Sequence, residues 1–344
     1  MNSSNILDTT IKLLSQAGKG ILAADESGAT VGKRFAALGV ESTEETRRAW
    51  RDLLITTPGI NEFIAGVILF DETLHQNALD GTSFPKKLEQ LGIVPGIKVD
   101  QGLTLLPNTP DDQITQGLDK LDERLADYFA KGARFAKWRA VYAISAHTPS
   151  QLAIDTNAEV LARYAALCQK NNIVPIVEPE VLLDGSHTIE HCAAVSEKVL
   201  QALFAALNRH QVQLERTILK PAMVISGKAC QQRADVQTVA NMTVKILRRT
   251  VPAAIPTVNF LSGGQTPEEA TAHLNAMHHI HSSLPWNLSY SYARALQDIA
   301  MKTWSGEPKN VADAQQAFYR RAKLNSLAAQ GQYKAAMEKE SSVV

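Results

Sequence analysis

The sequence predicts a single α/β domain closed as a (β/α)8 barrel, with its active site at the C-terminal ends of the strands. Three observations carry this. Eight short apolar, β-branched-rich runs are spread through most of the chain, segments with helical start signals lie between them, and no Pro/Gly/Ser-rich linker divides the series. Strand and helix alternating about eight times close most economically as one TIM barrel.

The runs, in order, are "GILAADES", "GVILFDET", "GIKVD", "RFAKWR", "VPIVEPE", "TILKPAM", "PTVNFLSGG" and "NLSYSYARAL". None alternates strictly, as expected of parallel strands buried on both faces. Between them, "STEETRRAWRDLL" offers Ser42 and Glu45 as a capping box, and "TPEEATAHLNAM" offers Thr266 as N-cap, Pro267 at the first helical position and Glu269 as box partner. "EKVLQALFAALN" places Val199, Leu203, Phe204 and Leu207 on one helical face, ready to pack on a sheet. The barrel is expected over residues 1–331. From Gln332 the pattern is lost, so residues 332–344 are expected to form a mobile tail.

With 35 Lys plus Arg against 35 Asp plus Glu, the net charge is zero, which argues against a nucleic-acid or membrane-surface partner. The N-terminus lacks a signal pattern and no apolar run is long enough to span a bilayer, so a cytoplasmic protein is expected. Cys168, Cys192 and Cys230 are few and widely spaced, which fits reduced thiols.

Charged residues stand at nearly every strand end: Asp25 with Glu26, Asp71 with Glu72, Lys98 with Asp100, Lys137 with Arg139, Glu178 with Glu180, Lys220, and Arg294. One such charge usually marks only the chain's return to water. Seven sets on parallel strands would converge on the face where barrel enzymes keep their active sites. Asp71 and Glu72 keep the plain reading, since nothing nearby assigns them chemistry. Histidines 273, 278, 279 and 281 lack a carboxylate or thiolate at ligand spacing, so they are expected as surface imidazoles and neither a metal nor another cofactor is expected.

Lys220 ends an apolar run, and an apolar environment with a second cation, Lys137, would favour its neutral amine. A neutral amine can condense with a ketone, and the resulting iminium is an electron sink for carbon–carbon cleavage. Glu178 and Glu180, one pleat apart, face the same side, where one can shuttle protons while the other holds a lysine charged. Ser262, Gly263 and Gly264 after the seventh run, with Arg294 after the eighth, suggest a phosphate site.

These runs, together with "LARYAALCQ" and "LRRTVP", closely resemble class I fructose-1,6-bisphosphate aldolase, in order from about Lys19 to Tyr333. The resemblance implies reversible cleavage of the sugar bisphosphate to dihydroxyacetone phosphate and glyceraldehyde 3-phosphate, in glycolysis and gluconeogenesis, by a cytoplasmic homotetramer. By motif it implies Lys220 as the Schiff-base former, Glu178 in carbinolamine dehydration, and Glu180 beside Lys137, which stabilises charge. Asp25 would help deprotonate the C4 hydroxyl. Arg139, Lys98, Ser27 and Thr30 would serve the sugar hydroxyls and distal phosphate, and Ser262, Gly263, Gly264, Arg294 and the backbone of Ala293 the C1 phosphate. Three departures stand out: Thr30 replaces a common serine, Ala293 a common glycine, and "SSVV" the terminal tyrosine of animal and plant members. Slower enamine protonation, or another proton donor, is therefore expected. The rival readings are another Schiff-base sugar-phosphate aldolase, a transaldolase, a divalent-metal aldolase or a noncatalytic barrel scaffold.

Overall fold

The computed structural model describes residues 3–280 and 283–339. Eight strands form a closed barrel: β1 (Gly20–Ala24), β2 (Ile64–Leu69), β3 (Val94–Lys98), β4 (Phe135–Tyr142), β5 (Val174–Val181), β6 (Ile218–Leu219), β7 (Thr257–Phe260) and β8 (Asn287–Tyr292). Each pairs in parallel with its neighbours in sequence, and β8 closes onto β1 with Ser291 opposite Ile21. Every predicted run overlaps a strand. The sixth is the shortest because Pro221 has no N–H to continue the ladder. Lys220 N still donates to Val177 O at 2.9 Å, which holds Lys220 at the barrel lip.

Side-chain alternation builds two cores. Outward residues such as Trp138 and Phe260 pack under the surrounding helices, while Ile21, Val94, Phe135, Val174, Ile176 and Ile218 fill the barrel interior. The Phe135 ring takes its space because β3 has no side chain at Gly96, where an added Cβ would lie 2.3 Å from it. An N-terminal helix, Ser3–Leu14, closes the floor with Leu7, Ile11 and Leu14, spaced on one helical face and all buried. No helix among the described residues is long and apolar enough to cross a membrane.

The helix Pro267–Met277 starts with the predicted Thr266–Glu269 capping box. The predicted box at Ser42 is displaced by one residue: Thr43 caps helix Glu44–Ile55 with Thr46 as its partner, and Glu45 instead pairs with Arg48. The Thr43 hydroxyl accepts from Thr46 N at 3.1 Å and the Thr46 hydroxyl accepts from Thr43 N at 2.9 Å, so Thr46 does the work assigned to a glutamate. Val199, Leu203, Phe204 and Leu207 are buried on helix Ile189–Arg209 as expected.

The tail does not leave the barrel at Gln332. Tyr333 is buried and its N–H donates to Asn275 Oδ1 at 2.9 Å, while Glu338 receives both Arg321 Nη1, at 2.6 and 2.7 Å, and the Tyr333 hydroxyl, at 3.0 Å. Residues 340–344, with the "SSVV" end, and His281 lie outside the described residues.

Candidate active site

Strand register decides which charges meet. On β4 and β5, Arg139 lies opposite Glu178 and Lys137 opposite Ile176, so Lys137 sits one layer deeper and reaches up toward Glu178. Its Nζ is 2.7 Å from Asp25 Oδ2 and 3.3 Å from Glu178 Oε2. Lys220 Nζ is 3.2 Å from Glu178 Oε1. Two carboxylates and two lysines from four strand ends thus form one buried, charge-balanced group.

Burial by itself would favour neutral forms throughout this group. It pushes the Asp25 carboxyl up, but Lys137 and Lys220 outweigh it and bring the group down to about 2. Glu178 follows the same logic and ends below the usual carboxylate range. Burial disfavours charge on Lys137, yet Asp25 and Glu178 hold its value well above that of an ordinary lysine. With two carboxylates on it, Lys137 is not the bare repelling cation expected from the sequence. Glu178 Oε2 accepts no hydrogen bond among the described residues, so charge rather than an aligned donor holds it.

Glu180 corrects the sequence reading. It pairs with Arg139 Nε and not with Lys137, because one further step along β5 lifts it above the lysine layer. Burial disfavours the Arg139 charge, but Glu180 holds it firmly. Lys98 is turned back on Asp100, with Nζ 2.5 Å from Oδ1 and 2.8 Å from the main-chain oxygen. An anion at Lys98 must therefore compete with Asp100.

These groups line an open cavity of about 1030 Å³ at the C-terminal mouth of the barrel. Every catalytic or phosphate-binding residue predicted from the sequence borders it except Gly264, which follows Gly263 in the chain. Ser27 caps helix Gly28–Ala36, its hydroxyl 3.0 Å from that of Thr30, and so presents two hydroxyls at a helix N-terminus. On the other side, Ser262 to Gln265 form a tight turn with positive φ at both central residues, 52° at Gly263 and 86° at Gly264. Side chains rarely adopt that conformation, which is why both are glycine. The Gly263 and Gly264 N–H groups donate to no described residue. Arg294 opens helix Arg294–Trp304 and is exposed, with Ala293 as the capping residue.

Sequence reasoning missed Lys33, Arg34 and Ser291, all of which border the cavity. The first two follow Thr30 at helical spacings of three and four, the signal that could have found them. Arg34 is bound to Glu26, to Gln297 at 3.0 Å and to Asp298 at 2.9 Å. Ser291 faces inward two residues before Ala293, and its buried hydroxyl has no partner among the described residues. Asp71 reaches the cavity rim, where it accepts from the Tyr128 hydroxyl at 2.7 Å, while Glu72 pairs with Arg47. The expected surface imidazoles need correction: His273 is buried against Gln265, and His278 Nε2 lies 3.2 Å from the Leu288 carbonyl oxygen.

A family model described as fructose-bisphosphate aldolase class-I matches residues 6–343. The chain belongs to this family. It is 53% identical over 329 residues to a probable fructose-bisphosphate aldolase class 1 of Xanthomonas campestris, covering 95% of this chain and 98% of the relative. It is 55% identical over 317 residues to the cytosolic fructose-bisphosphate aldolase 6 of Arabidopsis thaliana, covering 92% and 88%. The solved fructose-bisphosphate aldolase of Plasmodium falciparum superposes with a TM-score of 0.95 at 49% identity, covering 97% of this chain and 96% of the other. Membership in the class I aldolases separates the chain from the transaldolase and divalent-metal readings.

Proposed function

We propose that this chain cleaves fructose 1,6-bisphosphate between C3 and C4, and runs the reverse condensation, through an imine on Lys220. The observation that carries the reading is Glu178 set between Lys220 and Lys137. Lys220 passes its proton to Glu178, 3.2 Å away, the freed amine adds to the C2 carbonyl, and a proton moves from the nitrogen to the new alkoxide to give the carbinolamine. Glu178 then returns that proton to the carbinolamine hydroxyl, which leaves as water, and the iminium inherits the positive charge beside the carboxylate. Lys137 keeps Glu178 and Asp25 in place throughout.

Asp25 takes the C4 hydroxyl proton as the C3–C4 bond breaks and its electrons pass to the iminium, leaving an enamine and an aldehyde. A carboxylate held at about 2 is a weak base, so it acts only when the electron sink is in place. Ser262, the Gly263 and Gly264 amides and Arg294 receive the phosphate beside the ketone, and Ser27, Thr30, Lys98 and Arg139 serve the distal half. The same reading includes a cytosolic homotetramer working in glycolysis; a monomer by sedimentation would remove the tetramer.

The test is to add dihydroxyacetone phosphate with borohydride and map the adduct by mass. One adduct on Lys220, absent in Lys220→Met, is expected together with cleavage of the bisphosphate. A folded protein that forms no adduct, or carries it on another lysine, overturns the mechanism.

A further inference from the structure

The turn that offers the Gly263 amide is held from behind by two buried side chains. The Ser262 carbonyl accepts from both Gln265 N and Gln265 Nε2, each at 3.0 Å. The second Nε2 proton points to Met223 Sδ at 3.7 Å, three residues beyond Lys220, and Leu261 N donates to Pro221 O at 3.1 Å. Gln265 Oε1 lies 2.6 Å from His273 Nδ1. Because Gln265 spends its amide protons on Ser262 and Met223, its oxygen must face the imidazole, and His273 must be the donor with its proton on Nδ1. Gln265 and His273 are 6% and 4% exposed, which keeps this chain of contacts largely shielded from water.

We infer that Gln265 and His273 are positioning residues for the phosphate cradle: they set the direction of the Gly263 N–H and the spacing between the cradle and Lys220. A trans peptide is planar, so its C=O and N–H point in opposite directions. Drawing the Ser262 carbonyl toward Gln265 therefore turns the Gly263 N–H away from the protein interior, on the side where Ser262 and Gly263 border the cavity. Two glycines in succession make this turn easy to reorient, and the buried amide opposes that freedom. The link to Met223 ties the cradle to the segment that carries the reacting amine. The inference rests on the aldolase reading of the cavity and assigns the histidine at position 273 a use other than metal binding.

The experiment compares two ketones on the full-length protein, dihydroxyacetone phosphate and dihydroxyacetone, each trapped on Lys220 with borohydride over a concentration series. In His273→Phe and in Gln265→Leu the half-saturating concentration of the phosphorylated ketone should rise about tenfold, with that of dihydroxyacetone unchanged. His273→Asn, which keeps an N–H donor, should stay within about threefold of the parent. Equal weakening for both ketones, or no change for either, overturns the positioning role while leaving the aldolase reading intact. A parent protein that traps neither ketone sinks the aldolase reading itself, and this inference with it.

Discussion

Successive inward-facing positions along β4 contrast sharply. At the floor Phe135 fills the barrel among Val94, Val174 and Ile218, whereas at the mouth Lys137 and Arg139 sit among carboxylates. Both regions are buried, but they are held by different physics. The floor gains from removing apolar surface from water and from close packing. The mouth must recover the cost of desolvating four charged groups by pairing them, an arrangement seldom chosen for stability alone. The strand ends therefore carry a desolvation cost that the floor's apolar burial helps offset, and chemistry and stability should separate under mutation.

The sharpest break is Lys220→Met, which replaces the reacting amine by an apolar chain of similar length. Activity should fall by at least about 10³-fold. Glu178 keeps Lys137 as a partner, so stability by denaturant titration should move by less than about 1.5 kcal/mol. A variant that retains activity, or that unfolds, would erase the distinction between mouth and floor.

Phe135→Ala tests the floor and should cost about 3–5 kcal/mol of stability, because the surrounding aliphatic side chains cannot fully collapse into the space. Under conditions where the variant is folded, borohydride trapping on Lys220 should persist; its loss would mean that the floor also sets the chemistry. Arg294→Ala should raise KM for the bisphosphate about 10- to 100-fold with kcat less affected, as expected for a charged donor to phosphate. An unchanged KM would remove Arg294 from the cradle.

The smallest effect is one of pH. Burial holds the His273 imidazole down to about 4 in the folded chain, against about 6.5 when unfolded. The unfolded state thus binds the extra proton first, and the stability this histidine supports is present above about pH 6.5 and lost as pH falls through about 4. His273→Phe should flatten the stability profile in that window by on the order of 2 kcal/mol. A profile of unchanged slope would place His273 in contact with water.

Much of the barrel was legible because parallel strands buried on both faces need continuous apolar runs, and each run overlaps a strand. The Thr266 cap was legible because its donors and acceptors are neighbours in sequence. At Ser42 the same local logic was off by one, since Thr46 could serve as well as Glu45. The residues at the mouth were legible as a set, because charges at successive strand ends of a closed parallel barrel must converge. Their pairing was not. Glu180 with Arg139, Lys98 with Asp100 and Arg34 with Glu26 depend on stagger and side-chain reach.

By itself the sequence determined the alternation of strands and helices, the glycine turn at 263–264, the lysine at the end of the sixth strand and the family. These follow from local pattern and residue chemistry. Only the tertiary structure decided that Leu7, Ile11 and Leu14 close the floor, that Lys137 is balanced by Asp25 and Glu178, and that His273 stands behind the cradle. Each joins residues far apart in the chain or separated by a turn, and closure of the barrel fixes the distances on which their electrostatics and hydrogen bonds depend.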